Sequence, residues 1–338
     1  MSGQNVAVVT GGSTGIGAEI CRQMLAAGYE VVIVDNFSNS EPFVLDRIRE
    51  ISGKDCVFEQ VDLADRQAVK VFMGRFSDLQ GIVHFAASKA VGESVENPLL
   101  YYRNNLTSLL HLLENMQDHQ IANMVFSSSC TVYGQPDQLP VDESAPIKKA
   151  ESPYGNTKQI CEQIIADTVR ASASLKSIAL RYFNPIGAHE SGLIGELPRG
   201  VPNNLVPFVT QTALGLRKEL QVFGNDYQTP DGTCVRDYIH VDDLAQAHID
   251  ALDYMVLEQK SNIFNCGYGH GYSVKEVIAM VKKVSGVDFK VDHAPKRDGD
   301  APSLIAVSKK IREELKWQPK HDDLELIVKT ALEWERKL

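Results

Sequence analysis

Three side chains that can transfer or relay protons lie in two short segments of the sequence. Ser129 ends a run of three serines, and Tyr154 is followed four positions later by Lys158. Residues four apart share one face of a helix, so the Lys158 ammonium would lie beside the Tyr154 phenol. A phenol with a pKa of about 10 is a poor base at neutral pH, and a nearby positive charge favours its ionised form. The spacing predicts a tyrosine base assisted by a lysine, with Ser129 hydrogen bonded to the same substrate oxygen.

The helix that carries this pair has a recognisable start. Ser152 and Pro153 are typical of an N-cap and a first helical residue, which places Tyr154 in the first turn. The alternative is a surface tyrosine–lysine pair on an amphipathic helix, which is a common arrangement. The choice between the two depends on what the rest of the chain builds around the pair.

Six short apolar runs alternate with segments of helical periodicity. The runs lie at 6–9, 31–34, 56–58, 82–85, 124–126 and 178–180. Each is typical of a strand buried on both faces, and the alternation predicts an α/β fold with a Rossmann-like doubly wound parallel sheet. Ser129 follows the fifth run and would therefore lie at the carboxyl edge of the sheet, where such folds bind ligands.

A glycine-rich loop at 10–17 follows the first run and opens the first helix. Glycines in this context let the backbone approach a pyrophosphate at a helix N-terminus. Asp35 ends the second run, where a carboxylate accepts hydrogen bonds from both ribose hydroxyls and repels a 2′-phosphate, so NAD is favoured over NADP. The alternative is a tight turn with Asp35 as a loop cap. The cofactor contacts predicted here are Gly11, Gly15, Ile16, Gly17, Asp35 and Asn36.

Two residues after the third run, Asp62 and Leu63, are positioned to touch the adenine. Capping of the next helix by Asp62 is an equal alternative.

The rhythm of strands and helices changes after about residue 183. Residues 238–241 indicate one more strand, and Asp242 is the predicted cap of the helix after it. We expect an NAD-binding domain at 1–183 with a return segment near 235–260, and a smaller, discontinuous C-terminal lobe at 184–338 that mostly binds the substrate.

Composition bounds the class of protein. The chain has 338 residues, 43% of them hydrophobic, and a formal net charge of -10 without a basic cluster, which disfavours nucleic acid and anionic membranes as partners. Six scattered cysteines without Cys-x-x-Cys spacing are typical of reduced core residues in a cytoplasmic protein and predict no metal site. The first residues lack a basic segment followed by a long apolar stretch, and no run of 18 apolar residues occurs, so we expect neither secretion nor a membrane span.

Longer motifs, spread over nearly the whole chain, follow one pattern. They lie at 84–94, 127–134 (Ser-Ser-Ser-Cys-Thr-Val-Tyr-Gly), 152–158 (Ser-Pro-Tyr-Gly-Asn-Thr-Lys), 181–185, 202–205 (Pro-Asn-Asn-Leu), 223–227 and 235–240. In this order they resemble the extended short-chain dehydrogenases/reductases, and in particular the UDP-glucose (UDP-galactose) 4-epimerases.

The resemblance implies an isomerase that interconverts UDP-glucose and UDP-galactose through a 4-keto sugar. Tyr154 would take the proton of the 4-hydroxyl while hydride passes from C4 to tightly held NAD. Lys158 would hold the nicotinamide ribose and lower the pKa of Tyr154, and Ser129 would bind the oxygen at C4. A homodimer packed through helices of the first domain, and a role in galactose metabolism, are also implied.

Further site residues follow from the same resemblance. Positions that line the cofactor correspond to Phe85, Ala86, Ala87, Lys89, Asn104 and Phe183. Positions that bind the UDP-sugar correspond to Lys89, Asn184, Asn204, Leu205, Phe223, Arg236, Arg297, Asp300 and Leu304. The two arginines suit a pyrophosphate because a guanidinium binds its oxygens bidentately, although either could instead form a structural salt bridge, with Asp237 and Asp298 as ready partners.

Two positions depart from the family pattern. Thr14 stands where the second glycine of the loop is expected, so the backbone near the pyrophosphate is expected to differ while NAD binding is kept. Leu304 matches the wall beside the sugar C2, where a large aromatic residue goes with UDP-glucose and a small one admits N-acetyl sugars. Leucine is intermediate, so UDP-GlcNAc/UDP-GalNAc is expected as an additional substrate pair, with UDP-GlcNAc 4-epimerisation as the alternative main activity.

Two rival functions use the same scaffold. A sugar-nucleotide 4,6-dehydratase needs an added acid beside the strand-end hydroxyl, and Cys130 and Thr131 supply none. An NAD-sensing interaction protein would be expected to have a disrupted Tyr–Lys pair, whereas the pair at 154 and 158 is intact.

Overall fold

The computed structural model describes residues 5–76, 78–198, 200–202, 204–297 and 300–338. The strands found there are β1 Val6–Thr10, β2 Glu30–Asp35, β3 Val57–Gln60, β4 Leu79–His84, β5 Asn123–Ser129, β6 Lys176–Tyr182, β7 Asn184–Ile186, β8 Leu220–Phe223, β9 Val235–Arg236, β10 Tyr238–His240, β11 Asn262–Cys266, β12 Tyr272–Ser273, β13 Val291–Ala294 and β14 Ser303–Leu304. The helices are α1 Gly15–Ala26, α2 Phe43–Ser52, α3 Arg66–Met73, α4 Val91–Glu96, α5 Pro98–Asp118, α6 Pro153–Ala171, α7 Leu205–Ala213, α8 Val241–Glu258, α9 Val274–Ser285, α10 Lys309–Glu314 and α11 Leu324–Arg336. A 3-10 turn at Cys130–Tyr133 follows β5.

A parallel sheet is the centre of the fold. Across the described residues, seven strands pair in the order β11-β6-β5-β4-β1-β2-β3. The six predicted strands are confirmed as β1 to β6, and the order reverses between β1 and β4, which is the switch point where doubly wound sheets bind ligands.

Both faces of the sheet are covered, which explains the continuous apolar runs. In β1, Ala7 and Val9 belong to one buried cluster and Val8 to the other, because successive side chains point to opposite faces. Helices α3, α5 and α6 pack on the side of Val8, and helices α1 and α8 pack on the side of Ala7 and Val9. Such burial is expected of a parallel sheet.

The chain returns to this sheet through α8 and β11. Helix α8 packs against α1 and the strands β4, β5 and β6, and β11 pairs with β6 as an outer strand. The residue that caps α8 is His240, whose Nδ1 accepts a hydrogen bond from the backbone N–H of Asp242 at 3.1 Å. The prediction that Asp242 is the cap is therefore wrong, since the helix begins one residue earlier and Asp242 lies inside its first turn.

The remaining segments form a smaller set of layers beyond the carboxyl edge. Strand β10 pairs with β7, β9 lies between β12 and β14, and β13 pairs with β8. Helices α7, α9 and α11 pack on one another beside these strands. In the ranges described above, no helix combines the length and the apolar character needed to cross a bilayer.

Candidate active site

The carboxyl ends of the parallel strands collect most of the predicted site residues at one edge. Gly11 follows β1, Asp35 ends β2, Asp62 follows β3, Phe85 follows β4 and Ser129 ends β5. On β6, Tyr182 lies opposite Ser129 in the register, and Phe183 and Asn184 follow it. The predicted residues on these strands therefore lie along the same edge of the sheet.

The glycine loop is held close to the loop after β4. Gly11 has a φ of +71°, and a Cβ there would lie 2.8 Å from the backbone nitrogen of Ala86. A Cβ on Gly17 would lie 2.0 Å from the carbonyl oxygen of Gly11. Side chains at either position would force the backbone apart, so the tight approach of the two loops requires glycine.

The departure from the family glycine pattern falls at the helix start. Thr14 is the extended N-cap residue of α1, and within the described structure its side chain makes no cap hydrogen bond. Gly15 and Ile16 are the first helical residues, and no acidic residue of the described chain lies in that first turn. The positive end of α1 is thus open to an anion.

The Asp35 carboxylate connects the glycine loop to the loop after β2. It accepts hydrogen bonds from the backbone N–H of Ser13 at 3.4 Å, from that of Phe37 at 2.9 Å and from the Ser40 hydroxyl at 3.0 Å. Asn36 beside it accepts one from the N–H of Ser38. Asp35 is therefore positioned by both loops, which confirms that it caps a loop and leaves its ribose contact as a prediction.

Helix α3, which follows β3, is capped by Asp65 and not by Asp62. Asp65 caps α3 by accepting from the N–H groups of Gln67 and Ala68, whereas Asp62 accepts from the N–H of Ala64 at 2.9 Å. Helix capping by Asp62 is thus wrong. Leu63 is buried, and its carbonyl lies 2.9 Å from Nδ1 of His111.

The loop after β4 is anchored to β1. The Thr10 hydroxyl accepts hydrogen bonds from the N–H groups of Phe85 and Ala86, each at 3.2 Å. Ala87 follows them, half-buried, and the Asn104 amide on α5 donates to the Ser88 hydroxyl at 3.0 Å. The predicted cofactor contacts of this loop therefore form one hydrogen-bonded unit with α5.

The three proton-handling groups come together as predicted. The Ser152 hydroxyl caps α6 by accepting from the N–H of Gly155 at 3.1 Å, with Pro153 as the first helical residue. Ser129 lies near the Tyr154 phenol, and its hydroxyl acts to lower the pKa of that group. The Lys158 ammonium lies 5.9 Å from the centre of the Tyr154 ring and donates to the Ser127 carbonyl at 2.6 Å.

Burial governs the pKa values of these groups. It lowers the pKa of Lys158 to about 8 and raises the pKa of Tyr154 well above its usual value, against the smaller effect of the Ser129 hydroxyl. Burial sets this net direction for Tyr154, and the expectation that Lys158 lowers the pKa of Tyr154 stays a prediction. A further positive charge near the phenol is needed to favour phenolate.

A buried ion pair lies beneath the catalytic group. Glu162, four residues after Lys158, binds Arg181 through two hydrogen bonds of 2.9 and 2.6 Å and accepts one from Ser128 at 2.5 Å. Arg181 also donates to Tyr133 at 3.0 Å. These residues fix β5 and β6 to α6 directly below Ser129, a role that no spacing in the sequence indicated.

The two arginines predicted to bind the pyrophosphate share one carboxylate. Asp300 lies 3.3 Å from Nε of Arg297 and 3.9 Å from the guanidinium of Arg236. The Arg297 guanidinium lies 4.4 Å above the centre of the Phe223 ring. Leu304 is paired with Arg236 in the register of β14 and β9.

The alternative partner of Arg236 is engaged elsewhere. Asp237 points the other way and accepts hydrogen bonds from the backbone N–H groups of Tyr268, Gly269 and Ala306. A salt bridge between Arg236 and Asp237 is therefore wrong, and the carboxylate near Arg236 in the described part of the chain is that of Asp300. Asp298, the other alternative partner of the arginines, lies outside the described residues.

One acidic residue that the sequence did not single out joins the two predicted sets. The Glu196 carboxylate accepts a hydrogen bond from the Lys89 ammonium at 2.9 Å and from the Asn204 amide at 2.9 Å. Asn204 is the N-cap residue of α7, which begins at Leu205. Asn203 of the same motif lies outside the described residues. Glu196 stands in an irregular stretch, where periodicity gives no signal.

A group of three side chains with potential metal ligands lies at the start of α8: His240, Asp242 and His321. His240 is committed at both nitrogens, because Nδ1 accepts from the N–H of Asp242 and Nε2 lies 3.0 Å from the Thr330 hydroxyl. His321 is also engaged, since its Nδ1 lies 2.9 Å from a carboxylate oxygen of Asp243, so the cluster carries no metal assignment.

Comparison with known proteins gives one consistent result. A family model described as GDP-mannose 4,6 dehydratase matches residues 8–330. The chain is 46% identical over 328 residues to the UDP-glucose 4-epimerase of Bacillus subtilis (strain 168), covering 97% of this chain and 96% of that protein. The structure of UDP-glucose 4-epimerase from Stenotrophomonas maltophila with bound NAD and formylated UDP-arabinopyranose superposes with a TM-score of 0.95 at 43% identity, covering 99% and 98% of the two chains. The UDP-Glc/GlcNAc 4-epimerase of Campylobacter jejuni gives a TM-score of 0.86 at 42% identity, covering 99% and 100%.

Proposed function

The chain belongs to the UDP-glucose 4-epimerases of the extended short-chain dehydrogenase/reductase family, and from this premise we propose that it interconverts UDP-glucose and UDP-galactose with NAD as its cofactor. The observation that carries the proposal is the buried group of Ser129, Tyr154 and Lys158 at the carboxyl edge of the sheet. Such a group serves reversible oxidation of a hydroxyl, because a single base and its partners surround one oxygen.

The residues present fit a dinucleotide. A Cβ at Gly11 would close the approach between the loops after β1 and β4, the α1 N-terminus is open to phosphate, and the Asp35 carboxylate stands at the end of β2. When bound, NAD takes a hydride from the sugar C4 and returns it to the other face of the keto sugar. The residues proposed to hold it are Gly11, Gly15, Ile16, Gly17, Asp35, Asn36, Asp62, Leu63, Phe85, Ala86, Ala87, Lys89, Asn104, Ser129, Tyr154, Lys158 and Phe183.

The catalytic roles follow from the contacts. Tyr154 takes the proton of the sugar 4-hydroxyl and gives it back in the second half of the reaction, and Ser129, which lies near the phenol, binds the same oxygen. The Lys158 ammonium, with a pKa of about 8, is charged at neutral pH and favours phenolate. An oxidised nicotinamide would add a second positive charge near the phenol. This charge would help to offset the effect of burial on the pKa of Tyr154.

The diphosphate is proposed to bind the opposite wall. Arg236 and Arg297 present guanidinium groups on either side of Asp300, and the Phe223 ring offers a flat surface beside Arg297. Asn204 and Leu205 open α7, whose N-terminus favours phosphate. Asn184 follows β6 next to the catalytic group. Because only the UDP group is held, the keto sugar can rotate without dissociating from the enzyme.

This arrangement supports a division of labour along the chain. Residues 1–183, with the return near 235–260, are proposed to hold the cofactor, and most of 184–338 the UDP-sugar. The packing of α8 on α1 and on the central strands supports the assignment of that segment to the cofactor side.

The 4,6-dehydratase reaction is not favoured, although the family model carries that description. Elimination of water needs an acid next to the strand-end hydroxyl, and the residues that follow Ser129 are Cys130 and Thr131. Burial raises the pKa of the Cys130 thiol to about 12, so it stays protonated and is a poor base for abstraction at a neighbouring carbon. The site is consistent with chemistry at one carbon only.

A second substrate pair is proposed because of Leu304. Its half-buried side chain packs with Cys130, Val132 and Phe183 beside the catalytic group. Leucine leaves more room than an aromatic ring at this wall, and a relative of similar identity is a UDP-Glc/GlcNAc 4-epimerase. We propose UDP-GlcNAc/UDP-GalNAc as the secondary pair.

A homodimer is proposed through α5 and α6. These helices pack side by side on one face of the sheet, and α5 and the turn before it leave apolar side chains in solvent. Leu99 is 73% exposed, and Leu100 and Leu110 are also exposed. A second copy would cover them. Replacement of Leu110 by Arg is expected to halve the mass in solution.

The cellular setting follows from the same proposal. Six free cysteines, five of them buried, are typical of a reducing compartment, so we propose the cytoplasm. The reaction places the enzyme in galactose metabolism, where UDP-galactose is made or consumed.

The function is tested by a coupled assay of the purified protein on UDP-galactose without added NAD, in parallel with UDP-GalNAc. We expect UDP-glucose to form from cofactor retained in purification, and more slowly UDP-GlcNAc from the second substrate. Formation of a dehydrated sugar, or no turnover even with added NAD, would contradict the proposal. A clearly higher kcat/KM for the N-acetyl pair would reverse the order of substrates.

A further inference from the structure

Glu196 lies where the cofactor half and the substrate half of the site meet. Its carboxylate accepts a hydrogen bond from Lys89, in the loop after β4, and from Asn204, at the start of α7. The Asn204 amide also approaches the second carboxylate oxygen at 3.3 Å. Two elements that are far apart in the sequence are thus joined through one side chain.

The backbone of Glu196 is held firmly in this position. The indole N–H of Trp334 donates to the Glu196 carbonyl at 2.8 Å, and Gly195 packs so closely on the Trp334 ring that a Cβ there would lie 2.5 Å from it. On the other side, the Cα of Glu196 would lie 3.8 Å from a Cβ on Gly15, the first residue of α1. Glu196 is therefore placed against the helix N-terminus that we assign to the cofactor pyrophosphate.

The use of Asn204 is informative because asparagine is a favoured N-cap residue. Among the described residues its side chain forms no cap bond, and its amide is donated to Glu196 instead. This leaves the N-terminus of α7 open and orients the amide towards the cofactor side. The geometry is that of a connecting residue, not of a helix cap.

The carboxylate orients both donors. An ammonium carries three N–H donors, so its one bond to Glu196 leaves Lys89 with two for a ligand, whereas the Asn204 amide nitrogen bonds both carboxylate oxygens, at 2.9 and 3.3 Å. Burial acts to raise the pKa of Glu196, but the ammonium of Lys89 and the bonds from Lys89 and Asn204 outweigh it, so the pKa lies below its usual value. The group is anionic at neutral pH and keeps both bonds.

We propose that Glu196 is a positioning residue that couples the two halves of the site, so that UDP-sugar bound at Asn204 strengthens the hold on NAD at Lys89, and the reverse. This inference rests on the proposed function, since it needs both ligands. Coupling between two sites is reciprocal, so each ligand raises the affinity for the other by the same factor. The gain is expected to appear as slower release of NAD, because affinity differences between related complexes lie mostly in the dissociation rate. A half-exposed ion pair supports a modest factor, about fivefold.

The test measures binding and does not depend on turnover. Holoenzyme is loaded with radiolabelled NAD, and the rate of its exchange for unlabelled NAD is measured with and without saturating UDP. In the natural protein, UDP should slow the exchange by about fivefold or more. In Glu196→Gln, which keeps the length but loses the charge and one acceptor oxygen, that ratio should fall to about one. Glu196→Asp keeps the charge and should retain an intermediate ratio.

Glu219→Gln is the matched control, because Glu219 also binds a lysine, Lys290, but on the small sheet of β8 and β13. It should leave the ratio unchanged. A full ratio in Glu196→Gln, or an equal loss in Glu219→Gln, would overturn the coupling role. If Glu196→Gln does not fold, the Asp variant decides by the same ratio. Failure of the natural protein to bind NAD or UDP would overturn the proposed function itself.

Discussion

The proton-handling wall of the pocket and the diphosphate wall are built in different ways. Tyr154 and Lys158 are 7% and 4% exposed, on a regular helix that a buried ion pair fixes to β5 and β6. Arg297 and Asp300 lie on a connection between short strands, and the Arg297 side chain is 57% exposed. The groups proposed to handle the proton are thus shielded from water. The arginines of the second wall are held against a carboxylate that, in our proposal, the diphosphate replaces.

The contrast separates the properties that the chemical step requires from those that substrate binding requires. A base is effective when its position and its charge state are fixed before the substrate arrives. A handle that must retain a substrate while its sugar turns needs affinity but no such rigidity. Substitutions on the two walls should therefore affect kcat and KM separately.

The largest effect is expected for Tyr154→Phe on the buried wall. Loss of the only hydroxyl that takes the proton should lower kcat by about 10³-fold, while NAD and UDP stay bound. Steady-state kinetics and bound-cofactor absorbance measure both. Tyr29→Phe is the control, since Tyr29 is equally buried but is bonded to Asp253 away from the site. Turnover by Tyr154→Phe close to that of the control would remove Tyr154 from its role.

Lys158→Met sharpens the contrast because it should lower activity while raising stability. The pKa of Lys158 is lowered from 10.5 to about 8 by burial, so the unfolded chain binds more protons between those two pH values, and the contribution of Lys158 to stability rises with pH across that window. Below pH 8 the buried charge lowers the free energy of unfolding by about 3 kcal/mol. Lys158→Met removes this cost, but it leaves the Ser127 carbonyl without its hydrogen-bond donor, which offsets part of the gain.

We therefore expect the free energy of unfolding of Lys158→Met to be roughly 1 kcal/mol higher at pH 7 and lower relative to the natural protein above pH 10. Denaturant titration at both pH values measures this. A less stable variant at pH 7 would mean that the buried ammonium supports the fold, contrary to this account.

On the diphosphate wall, Arg297→Ala should raise KM for UDP-galactose by about tenfold and leave kcat within about threefold, because an exposed guanidinium supplies grip but no proton chemistry. Arg170→Ala is the control, an exposed arginine paired with Asp167 at the far end of α6. An equal fall in kcat would show that this wall takes part in the chemical step.

The smallest effect is expected at Leu304. Leu304→Ala should shift the ratio of kcat/KM values about tenfold towards UDP-GalNAc, and Leu304→Tyr should shift it the opposite way, because both change the space beside the catalytic group by a few methylenes. Val307→Ala, a nearby exchange on the same segment, should leave the ratio unchanged. Steady-state kinetics on both substrates measure this ratio. An unchanged ratio in both Leu304 variants would mean that another residue forms the wall.

The sequence predicted the buried wall far better than the outer one. Apolar runs and the cap at Ser152 determine the strands, the start of α6 and the meeting of Tyr154 with Ser129, because local patterns decide regular elements. The outer wall depends on side-chain directions in irregular chain. There the sequence could not show that Asp300, and not Asp237, faces Arg236, or that His240, and not Asp242, caps α8.

Glu196 illustrates the same limit. It stands in a stretch without periodicity, and its partners lie at Lys89 and Asn204, so that only the fold brings the three together. Adjacent in space and distant in sequence, such a residue leaves no spacing to recognise. The sequence carries no signal for the buried Glu162–Arg181 pair for the same reason.

The central claim is that the enzyme removes hydrogen from one sugar carbon and returns the same hydrogen to it. UDP-galactose deuterated at C4 is converted in ordinary water, and the product is examined by NMR. We predict UDP-glucose that keeps deuterium at C4, with no solvent hydrogen entering at C4, C3 or C5. Loss of the label to solvent, exchange at a neighbouring carbon or release of water from the sugar would contradict the account.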